Sequence, residues 1–268
     1  MGLITETSLR AMLGSGRGLP NPFPIGAGDR VTPAAADFLK DRRIGLRRIA
    51  PEREAGESWA HGEHRGALIP VGVSNRHVHL SPSHVQALFG PDFDLHPLRG
   101  LSQEGQFAAK ETVTLVGPKG EISGVRVLGP SRGATQVEIS RTDGRKLGST
   151  PAVRLSGDLA GTPGISIRGP AGTLGLDEGL IVARNHVHLS PDDAARLSVQ
   201  HGDRLLLQSL GDRPIVFADA IARVNERFSL DFHIDTDEAN AAFLRTGDFV
   251  RLVGINMSIS DLFGGRKA

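Results

Sequence analysis

The stretch NRHVHLSP at residues 75–82 returns at residues 184–191 as RNHVHLSP, and this repeat decides the fold. In both copies two histidines alternate with a valine, and a serine and a proline follow. Alternation matches the two-residue period of a β-strand, and Ser-Pro is typical of a helix N-cap followed by the first helical residue. The repeat therefore predicts two related modules, each running from a strand through a turn into a short helix.

Short apolar segments between turn signals indicate mainly β structure from residue 67 onward, and the 34 glycines and 16 prolines fit a chain rich in turns. The loops at 117–120 and 142–145 are interpreted as hairpin turns. Many short strands at close spacing favour small barrels. The predicted strands are 69–73, 112–116, 124–128, 135–139, 152–155, 165–167, 180–183, 204–207, 215–218, 220–224, 229–234 and 249–253.

The first 66 residues are predicted to form a separate appendage. Residues 4–13 can place their apolar side chains on one helical stripe, and Thr32 with Pro33 predicts the start of a second helix that continues to residue 41. A strand is expected at 45–49, followed by a polar linker that ends near Gly66. His61 and His64 lie in this linker, where solvation is favoured over metal binding.

Composition narrows the class of protein. The formal net charge is +1 and there is no basic block, so no nucleic-acid partner is expected. Cysteine is absent, which excludes disulfides, thiolate nucleophiles and cysteine zinc ligands, and fits a reducing cytoplasm. No apolar run approaches the roughly 20 residues of a membrane span, and the start of the chain lacks a secretory signal, so neither membrane insertion nor export is predicted.

The histidine pairs are candidate metal ligands. His77 and His79 point to the same face of a strand, roughly 7 Å apart at about 3.3 Å per residue, and so do His186 and His188. One such pair is more often a solvated polar face than a metal site. Duplication of the pair with its neighbours favours metal binding, because four buried imidazoles without partners carry a desolvation cost.

Three further residues are candidates, each with a plainer alternative. His233 lies in an alternating strand and is either a further imidazole ligand or a core histidine. Glu138 follows a glycine-rich turn and is either a carboxylate that bridges two metal ions or a surface residue. Arg132 lies in that turn and either binds a phosphate or carboxylate with its forked guanidinium or is solvated. No P-loop, GxGxxG or GxSxG motif supports nucleotide or covalent serine chemistry.

Four segments closely resemble the phosphate propanoyltransferases of the propanediol-utilisation type, the PduL family. They are VGVSNRHVHLS at 71–81, GPSRGATQVEIS at 129–140, ARNHVHLSP at 183–191 and FHIDTDEANAA at 232–242. The resemblance covers the chain from about residue 67. It implies a mainly β fold of two β-barrels capped by short helices, with the first barrel built from about 67–90 plus 178–268 and the second from about 105–177.

The same resemblance implies a centre with two zinc ions. His77, His79 and Glu138 would hold one ion and His186, His188 and His233 the other, with Glu138 bridging. Arg132 would bind phosphate and act as the catalytic residue. The implied reaction is reversible transfer of a short acyl group, propanoyl above all, between coenzyme A and inorganic phosphate, as in propanediol degradation.

The appendage has a resemblance of its own. ITETSLRAM at 4–12 and RVTPAAADFLKDRRIGLRRI at 30–49 are similar to the start of ethanolamine-utilisation cobalamin adenosyltransferases. In the transferase family a short N-terminal amphipathic helix often targets the enzyme to bacterial microcompartments. The implied partners are shell or core proteins, and the implied location is inside a microcompartment in the cytoplasm. A flexible or dimer-packing tail is the alternative, and a homodimer or larger assembly is expected.

Two other functions compete with acyl transfer. One is a dinuclear metallohydrolase that cleaves a thioester or phosphoester, although ligands that are mostly histidine count against it. The other is a non-catalytic metal-binding module of a microcompartment, which would have a closed coordination site.

Overall fold

The computed structural model describes residues 3–14, 19, 23–26, 29–49, 66–101, 103 and 105–259. The chain divides into two compact units, Met1–Gly62 and Glu63–Ala268. The predicted linker histidines His61 and His64 lie outside the described residues.

The first unit contains two short helices and two small parallel sheets. Strand β1 pairs with β3, and β2 pairs with β4. The Thr32 side chain accepts a hydrogen bond from the backbone N–H of Ala35, with Pro33 at the first helical position, so the predicted helix start is confirmed. Leu9, Phe38 and Leu39 are fully or nearly fully buried in a small core. The elements are β1 (Leu3–Ile4), α1 (Glu6–Gly14), β2 (Phe23–Gly26), β3 (Arg30–Val31), α2 (Pro33–Asp41) and β4 (Leu46–Ile49).

The second unit is mainly β, as predicted, and its strands form a closed six-stranded barrel and a curled half-barrel sheet. Its elements are β5 (Leu68–Ser74), β6 (His77–His79), α3 (Pro82–Phe89), β7 (Pro97–Gly100), β8 (Phe107–Val116), β9 (Glu121–Gly129), β10 (Gln136–Glu138), α4 (Arg141–Leu147), β11 (Val153–Arg154), β12 (Ile165–Arg168), β13 (Thr173–Leu176), β14 (Leu180–Ala183), β15 (His186–Leu189), α5 (Pro191–Leu197), β16 (Arg204–Ser209), β17 (Val216–Val224), β18 (Asp231–Asp235), α6 (Thr236–Ala242) and β19 (Phe249–Ile255).

The closed barrel and the half-barrel each have a buried apolar core. The barrel runs in the order β15, β17, β16, β19, β5, β18, and Phe232 and Leu205 are among its fully buried residues. The half-barrel has nine strands in the order β11, β14, β10, β6, β9, β8, β12, β13, with β7 paired to β8. Val78 and Val137 are buried in its core. Burial of these aliphatic side chains is the main term that stabilises both sheets.

The two modules exchange strands. Strand β5, which precedes the first histidine motif, pairs with β18 in the barrel, whereas β14, which precedes the second motif, pairs with β10 in the half-barrel. The expectation that 67–90 and 178–268 share one barrel is therefore wrong in detail. After Ser74 the chain leaves the barrel, and β6 pairs with β9 and β10; β14 likewise belongs to the half-barrel.

The helices of the second unit are short and capped by polar side chains. Ser81 and Ser190 cap α3 and α5, and a proline follows each, as predicted. Residues 142–145 were expected to form a hairpin turn, but they lie in helix α4 because Ser140 and Asp143 form a capping box. The loop 117–120 does connect two antiparallel strands, β8 and β9. None of the helices within the described ranges combines the length and apolar content that a membrane crossing requires.

Candidate functional site

The two histidines of each motif lie opposite two residues of an adjacent antiparallel strand. In the half-barrel, β6 and β10 are antiparallel, with His77 opposite Glu138. In the barrel, β15 and β18 are antiparallel, with His186 opposite His233. Directly opposite residues of antiparallel strands share a face of the sheet. The six predicted ligands therefore fall into two groups of three, and in each group the nitrogen and oxygen atoms that could bind a metal lie within 4.8 Å of one another.

The first cluster consists of His77, His79 and Glu138. The Nε2 of His77 lies 3.4 Å from Oε2 of Glu138, while its Nδ1 lies 2.8 Å from the carbonyl oxygen of Asn75. The rings of His77 and His79 meet edge to face at 5.0 Å. The Nδ1 of His79 is buried and has no hydrogen-bond partner among the described residues. A buried, unpaired imidazole nitrogen is costly unless a ligand uses it.

The second cluster consists of His186, His188 and His233. Their ring centroids lie 4.6, 5.4 and 4.7 Å apart. The Nδ1 of His186 lies 2.7 Å from the carbonyl oxygen of Arg184, as Nδ1 of His77 does from that of Asn75. In both motifs this backbone contact directs Nε2 of the first histidine away from the chain that precedes it.

The carboxylate of Glu138 and the ring of His77 shift each other's pKa. Burial lowers the pKa of His77, but the charge of Glu138 and a hydrogen bond to it outweigh burial and raise that pKa. Burial raises the pKa of Glu138, but the charge of His77 and its hydrogen bond drive it far below the usual range. Burial and the charge of His77 lower the pKa of His79 to about 3. Near neutral pH, Glu138 is thus ionised and His79 is neutral.

In the second cluster, the pKa values of His186 and His188 are both lowered. Burial, followed by the charge of His233, lowers the pKa of His186 to about 4. Burial, followed by His186 and His233, lowers the pKa of His188 to about 2. Neutral imidazoles carry the nitrogen lone pair that metal coordination requires. His186 and His188 are therefore neutral near pH 7, and each has a lone pair that a metal ion could use.

Both clusters line one cavity of about 870 Å³, together with six arginines that include Arg132 and Arg223. Arg132 donates to Oε1 of Gln106 at 3.2 Å, and burial lowers the pKa of its guanidinium. Burial does the same to Arg223. A guanidinium stays protonated at physiological pH in spite of such a shift. The cavity therefore presents several positive groups beside nitrogen and carboxylate groups, an arrangement suited to a small anion.

Sequence reasoning named the seven predicted residues, and the structure places all of them on this cavity. It missed several polar residues on the same wall. Single polar side chains carry no recognisable motif and are usually solvated. The missed cavity residues are Gln103, Gln106, Ser156, Arg223 and Asp231. Gln136, in contact with Glu138, was missed as well. For Gln136 and Asp231 a signal was present, since each precedes Glu138 or His233 by two positions.

Comparison with known proteins identifies the chain. The family profile for phosphate propanoyltransferase matches residues 70–245. A phosphate propanoyltransferase of Thermotoga maritima is 57% identical over 187 residues, covering 69% of this chain and 89% of the relative. Proteins of the same name from Shewanella putrefaciens and Salmonella typhimurium are each 50% identical, over 69% and 72% of this chain and 88% and 92% of the relatives.

Fold, cavity and relatives together define an enzyme of the phosphotransacylase class. The chain belongs to the phosphate propanoyltransferase family.

Proposed function

We propose that this enzyme reversibly converts a short acyl-CoA, propanoyl-CoA above all, and inorganic phosphate into acyl phosphate and free coenzyme A. The observation that carries the proposal is the cavity that is lined by both candidate ligand clusters and by several arginines, Arg132 and Arg223 among them. Family membership supplies the class of reaction, and the names of the relatives supply the propanoyl group.

We further propose that the clusters hold two zinc ions. The residues present fit this ion: five imidazoles and one ionised carboxylate are ligands that zinc accepts. The buried Nδ1 of His79 lacks a partner among the described residues, which a bound ligand would supply. When bound, zinc would supply Lewis acidity that polarises the thioester carbonyl and stabilises the leaving thiolate.

The protein's own groups would bind and orient phosphate. Arg132 offers a forked set of N–H donors that matches two phosphate oxygens, and Gln106 holds it in place. Arg223 adds a further positive charge at the same cavity. Holding phosphate close to the thioester carbon makes the attack effectively intramolecular. Phosphate oxygen then bonds to the acyl carbon as the bond from that carbon to sulfur breaks, and coenzyme A leaves as its thiolate.

The reaction is tested by incubating the purified chain with propanoyl-CoA and following thiol release with and without phosphate. Rapid release that requires phosphate, together with formation of propanoyl phosphate, is expected. Equal release in both conditions would instead identify a thioester hydrolase. Metal analysis of the same preparation should give two zinc ions per chain, and prolonged chelation should abolish turnover.

The N-terminal unit has a separate proposed role. Residues 4–13 would dock onto shell or core proteins of a bacterial microcompartment, where the enzyme would reside, and the chain would associate as a homodimer or larger. Helix α1 covers most of this segment and exposes Leu13 at its end. Residues 1–49 fused to a fluorescent protein should form puncta only in cells that produce the shell. Diffuse fluorescence in such cells would contradict the targeting role.

A further inference from the structure

The third member of each cluster has a polar neighbour two positions earlier on its strand. Gln136 precedes Glu138 on β10, and Asp231 precedes His233 on β18. Residues two apart in a strand point to the same face, so each neighbour stands beside a cluster member. Each also lies opposite the second histidine of the facing strand.

Gln136 is 3% exposed, and its orientation is fixed by the backbone. Its Oε1 accepts a hydrogen bond from the backbone N–H of Gly157 at 2.8 Å. Because an N–H can only donate, the amide oxygen must face Gly157, and the amide nitrogen must face the other way. That nitrogen donates to Oε1 of Glu138 at 2.5 Å and to Oγ of Ser156 at 2.9 Å.

The contact with Gln136 leaves the two oxygens of Glu138 in different environments. Oε1 receives the amide N–H, while Oε2 faces Nε2 of His77 at 3.4 Å. Rotation of the carboxylate would break the contact with a buried amide that has a second, backbone anchor. Gln136 therefore directs Oε2 toward the histidines of its cluster.

Asp231 makes the corresponding contact with donor and acceptor exchanged: Gln136 donates to its neighbour, whereas Asp231 accepts from its neighbour. Its Oδ2 lies 2.9 Å from Nε2 of His233. A carboxylate accepts but does not donate, so Nε2 is the donor in this contact, and Nδ1 is the ring nitrogen left for a metal ion. An imidazole ligand thus has a carboxylate acceptor beside it, whereas a carboxylate ligand has an amide donor. Partners of this kind fix the orientation and tautomer of metal ligands.

The backbone of β5 leaves room for the second pair only because residue 72 is glycine. Gly72 lies next to His233 in the register of β5 and β18. A β-carbon at this position would lie 2.6 Å from Oδ2 of Asp231 and 2.9 Å from Cδ2 of His233. Real side chains do not approach so closely, so Asp231 or His233 would have to move. The Asp231–His233 pair therefore occupies a slot that matches its shape.

We propose that Gln136 and Asp231 are positioning residues that fix the third metal ligand of their respective clusters, and that Gly72 provides the slot for Asp231 and His233. The inference rests on the proposed zinc centre. Each ion would have one such residue: Gln136 would position a ligand of the ion in the half-barrel cluster, and Asp231 a ligand of the ion in the barrel cluster.

The test compares metal binding by full-length variants with that of the wild type. Gln136→Glu keeps an oxygen for Gly157 but replaces the N–H donor with an acceptor facing Glu138. Asp231→Leu removes the acceptor of His233, and Asp231→Asn retains one oxygen as a conservative rescue. Affinities come from chelator competition with zinc, and ligand geometry comes from the visible absorption of the cobalt(II) forms.

Gln136→Glu and Asp231→Leu should each lower the binding affinity for one of the two ions by about 10- to 100-fold and leave the affinity for the other near wild type. The cobalt spectrum should change for that ion alone, and Asp231→Asn should lose less affinity than Asp231→Leu. Gly72→Ala should lower the binding affinity for the same ion as Asp231→Leu does. Gly175→Ala is the matched control, because a β-carbon at that strand position meets nothing within 4 Å.

Two results would overturn the positioning roles while leaving the zinc centre in place. One is unchanged affinity in Gln136→Glu and Asp231→Leu when the wild type binds two ions. The other is equal loss of both ions with a lowered melting temperature in every variant, which would indicate a general structural effect. A wild type that binds no metal would instead refute the proposed zinc centre, and the inference with it.

Discussion

Arg132 shows how a turn residue can become part of a binding site. It follows β9, and its backbone N–H donates to the carbonyl oxygen of Leu80, just after the first histidine motif. Its side chain is partly buried beside the cavity and is held by Gln106. The turn is therefore tied at both backbone and side chain, and the guanidinium needs little rearrangement to meet an anion.

Replacing Arg132 with alanine should mainly impair the use of phosphate. Loss of charge-assisted hydrogen bonds worth about 1.5 to 3 kcal/mol corresponds to a fall of roughly 10- to 100-fold in kcat/KM for phosphate. Zinc content should stay near wild type, because Arg132 belongs to neither ligand cluster. Steady-state kinetics with varied phosphate and metal analysis measure both. Arg168→Ala, an exposed arginine paired with Glu121, is the control, and loss of both ions in Arg132→Ala would show the role to be misassigned.

Replacing Glu138 with alanine should reduce the metal content. The carboxylate is the one anionic member of the two clusters, and its removal leaves His77 and His79 with an incomplete site. We expect loss of at least one zinc ion per chain, measured by elemental analysis after dialysis against a weak chelator. Unchanged stoichiometry would count against Glu138 as a ligand and as a bridge.

At the residue scale, the sequence predicted the site residues that lie within a recognisable motif. The duplicated His-Val-His pairs were readable because a repeat is improbable by chance, and Glu138, His233 and Arg132 gained support from their resemblance to a family. Gln136 and Asp231 belong to no motif. Their two-residue spacing from Glu138 and His233 placed them on the same strand face, but the hydrogen bonds that they make there depend on the packed side chains. Gly72 was equally hidden, since only a close approach of β5 makes a glycine necessary there.

At the scale of elements, each histidine strand is tied to the helix that follows the third residue of its cluster. The Nε of Arg76, just before His77, donates to Oδ2 of Asp143 at 2.8 Å, and Asp143 belongs to the capping box of α4. In the other module Asn185 donates to Oε1 of Glu238 at 2.6 Å, and Glu238 belongs to the capping box of α6. Helix caps thus also hold the ligand strands in register.

Replacing Asp143 with alanine should destabilise the protein and loosen the first cluster. The substitution keeps the N-cap bond to Ser140 but removes the carboxylate that accepts from the Ser140 backbone N–H and from Arg76, a loss of about 2 kcal/mol. Denaturant unfolding would measure the loss, and a double mutant with Arg76→Ala should show that the two effects are coupled. Asp158→Ala, on the surface, should change stability by less than about 0.5 kcal/mol. Additive effects of the two substitutions would contradict the proposed tie.

The existence of most strands was predictable from alternation, whereas their partners were not. Strand pairing between β5 and β18 joins segments far apart in sequence, and local pattern does not specify such contacts. The assignment of His77 to the first barrel failed for this reason. Helix α4 was missed because Gly144 and its polar neighbours are typical of a turn. In the folded chain, the capping box that starts the helix outweighs that preference.

At the scale of the whole molecule, the two units have separate cores. Leu9, Phe23 and Phe38 are buried within the first unit, while the barrel and the half-barrel have their own clusters. The family match falls entirely within the second unit, and so do both ligand clusters. Acyl transfer and the proposed targeting role are therefore expected to be separable.

Removing residues 1–62 should leave kcat and the zinc content within about twofold of the full-length values. Each ligand, and the core that supports it, remains in such a chain. Activity assays and metal analysis of the truncated protein would check this expectation. A large fall in kcat with intact zinc would show that the first unit contributes to the active site.

The strand exchange also has a consequence for biosynthesis. Strand β5 is made early, yet its two partners, β18 and β19, lie close to the C-terminal end of the described chain. During translation, β5 cannot pair with these two strands until residues 231–255 have left the ribosome. The barrel cannot close before then, and until β5 pairs with β18, Gly72 does not lie beside His233. The nascent chain therefore depends on a late event, and premature termination would leave an exposed strand edge open to aggregation.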